Sequence, residues 1–222
     1  MAGTGDFADQ ALDSLSVPAN RLEAAYSAHH RLRRDGGEFV FVPERLPLLV
    51  SAVGGPGREV LDLGCRTGAV TKNFVKGNRV VGMDVDRDAL AIAEERGIEP
   101  VWGDVEGPLP FPDASFDAVV AGELLEHVRE PADVVAEVWR VLRPGGTFAG
   151  SVPNAYRLQD RLRFLRGQPP DADPTHLHMY SPAAMCRVLA AFQDVRLDFV
   201  GGRYRVLHAR LLARDLVFRG TR

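Results

Sequence analysis

Apolar residues along this chain recur in short runs that end in an acid or a glycine, and between the runs the spacing changes to that of helices. Val60, Leu61 and Leu63 flank Asp62 and stop at Gly64. Val80, Val81 and Met83 stop at Asp84, and Val101 and Trp102 stop at Gly103-Asp104. Short apolar runs bounded by turn residues are the signature of strands buried on both faces. They predict strands over Glu59–Leu63, Arg79–Asp84, Glu99–Trp102, Phe116–Ala121 and Thr147–Val152, a sixth over Val195–Val200 and a last at Leu216–Phe218. Helices are predicted over Ala69–Val75, Arg87–Arg96 and Ala132–Leu142. A basic helix over Asn154–Arg166 follows, then one over Ser181–Ala191 with a serine cap and a first-turn proline. Strand–helix alternation implies an α/β fold with a parallel sheet and right-handed crossovers.

Ahead of the first strand, Ala19–Arg34 has a helical face of Leu22, Ala25, Tyr26, His29, His30 and Leu32, closed by Asp35-Gly36-Gly37. A second helix is expected over Pro43–Val53. The chain therefore divides into an N-terminal helical extension, 1–57, and a domain over 58–222 with an insert near 154–181. The extension either covers the site as a lid or packs on the sheet.

The segment Val60-Leu61-Asp62-Leu63-Gly64-Cys65-Arg66-Thr67-Gly68 reads as strand, turn and helix start, which makes a nucleotide-sized crevice. Asp84 ends the next strand about twenty residues after the first glycine, a spacing suited to a carboxylate that grips ribose hydroxyls.

Four ordered motifs, GREVLDLGCRTGAVT, RVVGMDVD, VWGDVEGPLPFPDASFDAVVAGELLEHV and EVWRVLRPGGTFAGSVPN, resemble the class I S-adenosylmethionine (SAM) dependent methyltransferases from about Arg58 to Asn154. The resemblance implies a Rossmann-like, seven-stranded, mostly parallel sheet with helices on both faces and an antiparallel last strand. It also implies SAM as cofactor. Asp62 would then lie near the methionine ammonium, with Gly64, Cys65, Arg66 and Gly68 forming the loop. Asp84 and Val85 would hold the ribose; Gly103, Asp104 and Val105 would meet the adenine; Glu123 would line the pocket. Arg66 departs from the family's usual glycine. It predicts a strained turn, and its guanidinium would point to solvent, pair with the cofactor carboxylate or block the site.

Methyl transfer from a sulfonium asks the protein to align a nucleophile, with a base where that nucleophile is a hydroxyl. Glu123, Glu126 and His127 form an E-x-x-E-H pattern after the fourth strand. It resembles two metal-assisted branches, the ubiquinone-biosynthesis O-methyltransferases and the small-RNA 2′-O-methyltransferases. That implies Glu123, Glu126 and His127 as ligands to a divalent cation such as Mg2+. The bland alternative is a pocket-lining glutamate and a turn. His127 is also a candidate catalytic base, as is His176, which could instead be a further cation ligand. Alternation predicts that only one of His176 and His178 enters the site. Arg157, Arg161, Arg163 and Arg166 are read first as a solvated face.

A net charge of -3 argues against a broad nucleic-acid footprint. Two cysteines far apart in sequence and the absence of a long apolar run or an apolar leader suggest a cytoplasmic protein without a membrane span. The expected function is methyl transfer to a small-molecule acceptor, at a hydroxyl oxygen. The competing expectations are a non-catalytic SAM-binding scaffold and an RNA-modifying methyltransferase.

Overall fold

A computed structural model describes residues 43–222 apart from 169–172, 174, 203 and 205. The helix expected over Ala19–Arg34 lies outside the described residues. The described chain runs α1 (Arg45–Val53), β1 (Glu59–Leu63), β2 (Arg79–Asp84), α2 (Arg87–Glu95), β3 (Glu99–Trp102) and β4 (Phe116–Gly122). It continues through α3 (Pro131–Val141), β5 (Leu142–Pro153), α4 (Leu158–Leu165), α5 (Pro182–Val188), β6 (Gln193–Val200), α6 (Ala209–Leu212) and β7 (Asp215–Thr221).

The strands form one seven-stranded sheet in the order β3-β2-β1-β4-β5-β7-β6. β1 through β5 pair in parallel, whereas β7 inserts antiparallel between β5 and β6. The central strands are buried on both faces, which is why they read as apolar runs: Val60, Leu61, Leu63, Val81 and Val119 are wholly buried. Chain order reverses beside β1, with β2 on one side and β4 on the other. In such sheets a crevice opens at the carboxyl ends there.

The helix expected over Ala69–Val75 is not formed. Only a 3-10 turn, Thr71–Asn73, follows the loop. The Thr71 hydroxyl donates to the Asp62 carboxylate and the Asn73 amide donates to the Val70 carbonyl. Side-chain bonds of this kind compete with a regular helix. The expected helix N-terminus aimed at the cofactor is therefore replaced by a short turn. The fifth strand is longer than expected and runs through Pro144-Gly145-Gly146. There the register jumps between Phe116↔Leu142 and Ala118↔Thr147, so the predicted turn survives as a bulge inside the strand.

α1 packs on β4, β5 and β7. Leu49 and Val53 are buried, each worth about 1.5–3 kcal/mol of transfer free energy. Arg45 is buried on the same face, one turn ahead of Leu49. α4 buries only Asp160, which pairs with Arg157, and turns Leu158, Leu162, Phe164 and Leu165 outward.

Candidate active site

Parallel register brings the ends of β1 and β2 together, with Asp62 opposite Gly82 and Leu63 opposite Met83. Gly64 and Cys65 then donate their N–H groups to the Met83 carbonyl, so the glycine loop folds over the end of β2. Gly64 and Gly68 both have φ near +70°, a region that glycine enters without penalty. A Cβ on Gly68 would collide with Ile98.

Arg66 takes a left-handed conformation, φ 50°, as its non-glycine side chain at this turn predicts. The strain is of the order of 1–2 kcal/mol. Its N–H donates to Asp84 Oδ2 at 2.8 Å, while Asp84 Oδ1 accepts from the Asp86 N–H at 2.9 Å. Asp84 thus braces the turn that precedes it and the cap that follows it. Burial raises its carboxyl above the usual range; the two N–H bonds and the Arg66 charge oppose that rise. Beside it, burial pushes Asp62 up to about 7. The Thr71 hydrogen bond pulls the other way, and the Asp84 charge adds to the rise. Two carboxyls, 4% and 7% exposed, therefore share one low-dielectric crook. A cationic ligand would relieve it.

At the end of β3, Gly103 donates its N–H to the Asp84 carbonyl and leaves no room for a side chain against Met83. Asp104 accepts from the Glu106 N–H at 2.9 Å. Val105 is buried in the main core. Trp102 donates to the Val85 carbonyl at 3.1 Å, and the Arg87 guanidinium lies 4.3 Å from the Trp102 ring centre. Cys65 is buried and Cys186 exposed, both as free thiols; burial raises the Cys65 thiol well above its usual range.

The loop after β4 touches the glycine loop, for a Cβ on Gly64 would sit 3.1 Å from Leu124. Here the residues separate into two groups. Glu123 has φ 54° and turns its carboxylate to the buried Arg45 guanidinium, 2.6 Å away. Arg45 also donates to Ser151 Oγ at 3.1 Å and lies 3.5 Å from Asp215. Glu126, His127 and His176 form the second group, with a donor atom of each within 4.8 Å of the others. Of the expected trio of Glu123, Glu126 and His127, Glu123 is engaged by Arg45, and among the described residues it is His176 whose donor atom lies with those of Glu126 and His127.

Glu126 is fully buried and neither carboxylate oxygen accepts a hydrogen bond. Burial first, and the Glu123 charge second, hold its carboxyl well above the usual range. The His127 and His176 rings pack edge to face, centroids 4.7 Å apart. His127 Nδ1 lies 3.2 Å from both the carbonyl and the hydroxyl oxygen of Thr175, and that hydroxyl donates to Asp173. Both contacts at Nδ1 therefore accept, which assigns a proton to Nδ1, while Nε2 lies 4.0 Å from Glu126. The Glu126 carbonyl accepts from the Leu177 and His178 N–H groups, which pins the insert to this loop. His178 turns away to the Arg129 carbonyl at 3.1 Å, so only one of the two histidines joins the cluster, as alternation requires.

Arg45, Ser151, Asp215 and Thr71 are site residues that sequence reasoning missed. A signal existed for Arg45, a charged residue spaced i, i+4, i+8 with buried Leu49 and Val53 on one helix face. Asp215 and Ser151 carried none.

Among the described residues no helix is long and apolar enough to cross a membrane. A family model described as a methyltransferase domain matches residues 61–150. The chain is 35% identical over 136 residues to a probable S-adenosylmethionine-dependent methyltransferase of Mycolicibacterium smegmatis, covering 60% of this chain and 50% of that protein. It is 30% identical over 179 residues to a ubiquinone biosynthesis O-methyltransferase of Aeromonas salmonicida, covering 74% of this chain and 75% of the relative. The chain thus spans half the length of the first relative and three quarters of the second. In three dimensions it is similar to the crystal structure of a SAM-dependent methyltransferase from Archaeoglobus fulgidus. There the TM-score is 0.69 at 18% identity, over 89% of this chain and 99% of that one, a likeness of fold. With the ordered motifs, the sheet that carries them and the matched length all in agreement, the chain belongs to the class I SAM-dependent methyltransferases.

Proposed function

We propose that this protein transfers a methyl group from SAM to a hydroxyl oxygen of a small-molecule acceptor. The observation that carries the cofactor half is the crook between β1 and β2. Asp62 and Asp84 are buried carboxyls held apart from bulk water, and the Asp62 carboxyl is pushed up to about 7. A ligand bearing an ammonium suits such a place, because it supplies the opposite charge that burial withholds. Bound there, SAM supplies the electrophilic methyl of its sulfonium. The chain's own work is then to bind and orient. Asp62 faces the ammonium, Asp84 and Val85 the ribose, and Gly103, Asp104 and Val105 the adenine. Gly64, Cys65, Arg66 and Gly68 form the wall, with Glu123 beyond them.

The acceptor half is supported by Glu126, His127 and His176. They converge beside the loop that touches the glycine loop, with a donor atom of each within 4.8 Å of the others. A hydroxyl is a poor nucleophile until its proton is drawn off, and this cluster is the group able to do that. The ubiquinone biosynthesis O-methyltransferase relative favours oxygen over nitrogen or carbon. A partner of nucleic-acid size is disfavoured by the net charge of -3.

Calorimetry with SAM, followed by a metabolite screen with methyl-labelled cofactor, tests the proposal. Micromolar binding and labelled product at an oxygen are expected. Glu126→Gln and His127→Ala should bind SAM normally and lose turnover. No SAM binding to the folded wild type would overturn the whole reading. Label on nitrogen or carbon would overturn its acceptor half.

A further inference from the structure

α4 presents its apolar side outward. A helix on a globular domain normally buries its apolar stripe and exposes its charges. Here Leu158, Leu162 and Leu165 are all exposed and fall within about 60° of arc, while Asp160 on the opposite side is the residue that the helix buries. Arg161 borders the leucine stripe on one side and Arg166, at the helix end, on the other. Asp160 pairs with Arg157 at 2.5 Å, which holds the polar side inward and leaves the leucines out.

A second apolar patch adjoins the first. α4 touches α6, and Asn154, just ahead of α4, donates to the carbonyls of Arg210 and Ala213. Immediately before α6, Val206 and Leu207 are 91% and 80% exposed. Apolar residues scattered singly on a surface need no explanation, but five aliphatic side chains on adjoining segments do. Their charge setting is equally one-sided. The segments 154–168 and 201–214 hold eight arginines and a single acid, Asp160, in a chain whose net charge is -3. Both segments leave the sheet at one edge, where β5 ends and β7, running the other way, begins. The crook between β1 and β2 opens at that same edge, since β1, β4 and β5 run parallel.

We infer that this face, α4 with the turn before α6, docks peripherally on an anionic lipid bilayer. The leucine stripe and Val206-Leu207 enter among the acyl chains, and Arg161, Arg166 and Arg210 meet the headgroup phosphates. Aliphatic side chains bordered by arginine suit a bilayer surface, where an apolar layer lies directly under a negatively charged one. A second copy of the chain fits less well, because a two-fold pairing of this face would set arginine against arginine. A nucleic acid would engage the arginines but gain nothing from the five aliphatic side chains, since stacking needs aromatic rings. No spanning helix is required, because the stripe lies in the plane of the interface. Docking leaves the sheet untouched and brings the edge that carries the crook to the lipid surface. The inference uses no residue of the proposed SAM or acceptor sites and stands or falls apart from them.

The test is co-sedimentation of the full chain with two kinds of vesicle, phosphatidylcholine alone and phosphatidylcholine mixed equally with phosphatidylglycerol, at low and high salt. Wild type should pellet with the mixed vesicles, come off them at high salt, and stay in solution with phosphatidylcholine alone. Leu162→Ser should weaken binding about tenfold, the loss of one buried aliphatic side chain. Arg161→Gln should weaken it about fivefold, the loss of one cation at an anionic surface. Both side chains are exposed, so the thermal midpoint of each variant should match wild type. No pelleting with the mixed vesicles overturns the inference. Equal binding to both compositions does so too, as does wild-type binding by Leu162→Ser. A lipid-free dimer that Leu162→Ser converts to monomer would give the face to a second copy instead. Capture of poly(U) RNA more tightly than mixed vesicles, unaffected by Leu162→Ser, would give it to a nucleic acid. Either of these last two results overturns the bilayer assignment.

Discussion

Asp62 and Arg66 carry opposite strains within one turn. The Asp62 carboxyl is wholly buried, bonded by Thr71 and pushed up to about 7, so it costs the ligand-free protein something that a bound cation would return. Asp62→Asn keeps the shape and the Thr71 bond but removes the charge. Charge-assisted hydrogen bonds are worth about 1.5–3 kcal/mol, so SAM affinity should fall roughly 10- to 100-fold in calorimetry while the fold is retained. An unchanged affinity would remove Asp62 from the site. Arg66 differs because its hydrogen bond to Asp84 comes from the backbone N–H, with the side chain adding only its charge. Arg66→Gly sheds about 1–2 kcal/mol of left-handed strain and gives back about 0.5–1 kcal/mol to the freer unfolded chain. A small rise in the urea midpoint is expected, with SAM affinity unchanged. A large loss of affinity would mean that the guanidinium itself grips the cofactor.

At the scale of elements, the site depends on β2 lying close beneath the glycine loop. Gly82 is the point of contact: a Cβ there would meet Cys65 Sγ and Ile98 Cγ2, each at 2.7 Å. Gly82→Ala should therefore cost about 1–3 kcal/mol by overpacking, read as a lower urea midpoint, and should weaken SAM by lifting the loop. These strands were legible in the sequence because burial on both faces leaves short apolar runs, and their ends were legible because Gly64, Asp84 and Gly103-Asp104 punctuate them. The helix after Gly68 was misread because its apolar and β-branched residues fit helical spacing, whereas Thr71 is drawn into a side-chain bond with Asp62 nine residues back. The glycine bulge in β5 was read as a turn because the pairing that threads it into the sheet lies on β4. The cluster of Glu126, His127 and His176 was half legible. Glu126 and His127 are adjacent and His176 was a plain candidate. The capture of Glu123 depends on how α1 packs across β4, β5 and β7, and no local pattern encodes that.

At the scale of the whole molecule, buried acid is in excess among the described residues. Asp62, Asp84, Glu126 and Asp215 are all buried, with Glu123 beside them, and Arg45 is the buried cation facing the last three. Burial pushes Asp215 up to about 6 and Asp62 up to about 7. The native protein therefore holds protons that the unfolded chain releases near pH 4. Its stability is greatest, as far as these groups matter, below that pH, and is lost as pH rises through about 6 and 7. A cationic ligand reverses part of this loss, because ionised Asp62 is the form that binds it. Binding must then expel a proton below pH 7 and expels almost none above it. SAM affinity should accordingly rise about tenfold between pH 6 and pH 7.5. Calorimetry in two buffers of different ionisation heat should count close to one proton released at pH 6 and little at pH 8. The thermal shift given by a fixed SAM concentration should grow over the same interval, since it tracks affinity. Asp62→Asn should flatten all three dependences together. Flat profiles in the wild type would mean that Asp62 is already ionised before the ligand arrives. The cost of the crook would then be met elsewhere in the fold.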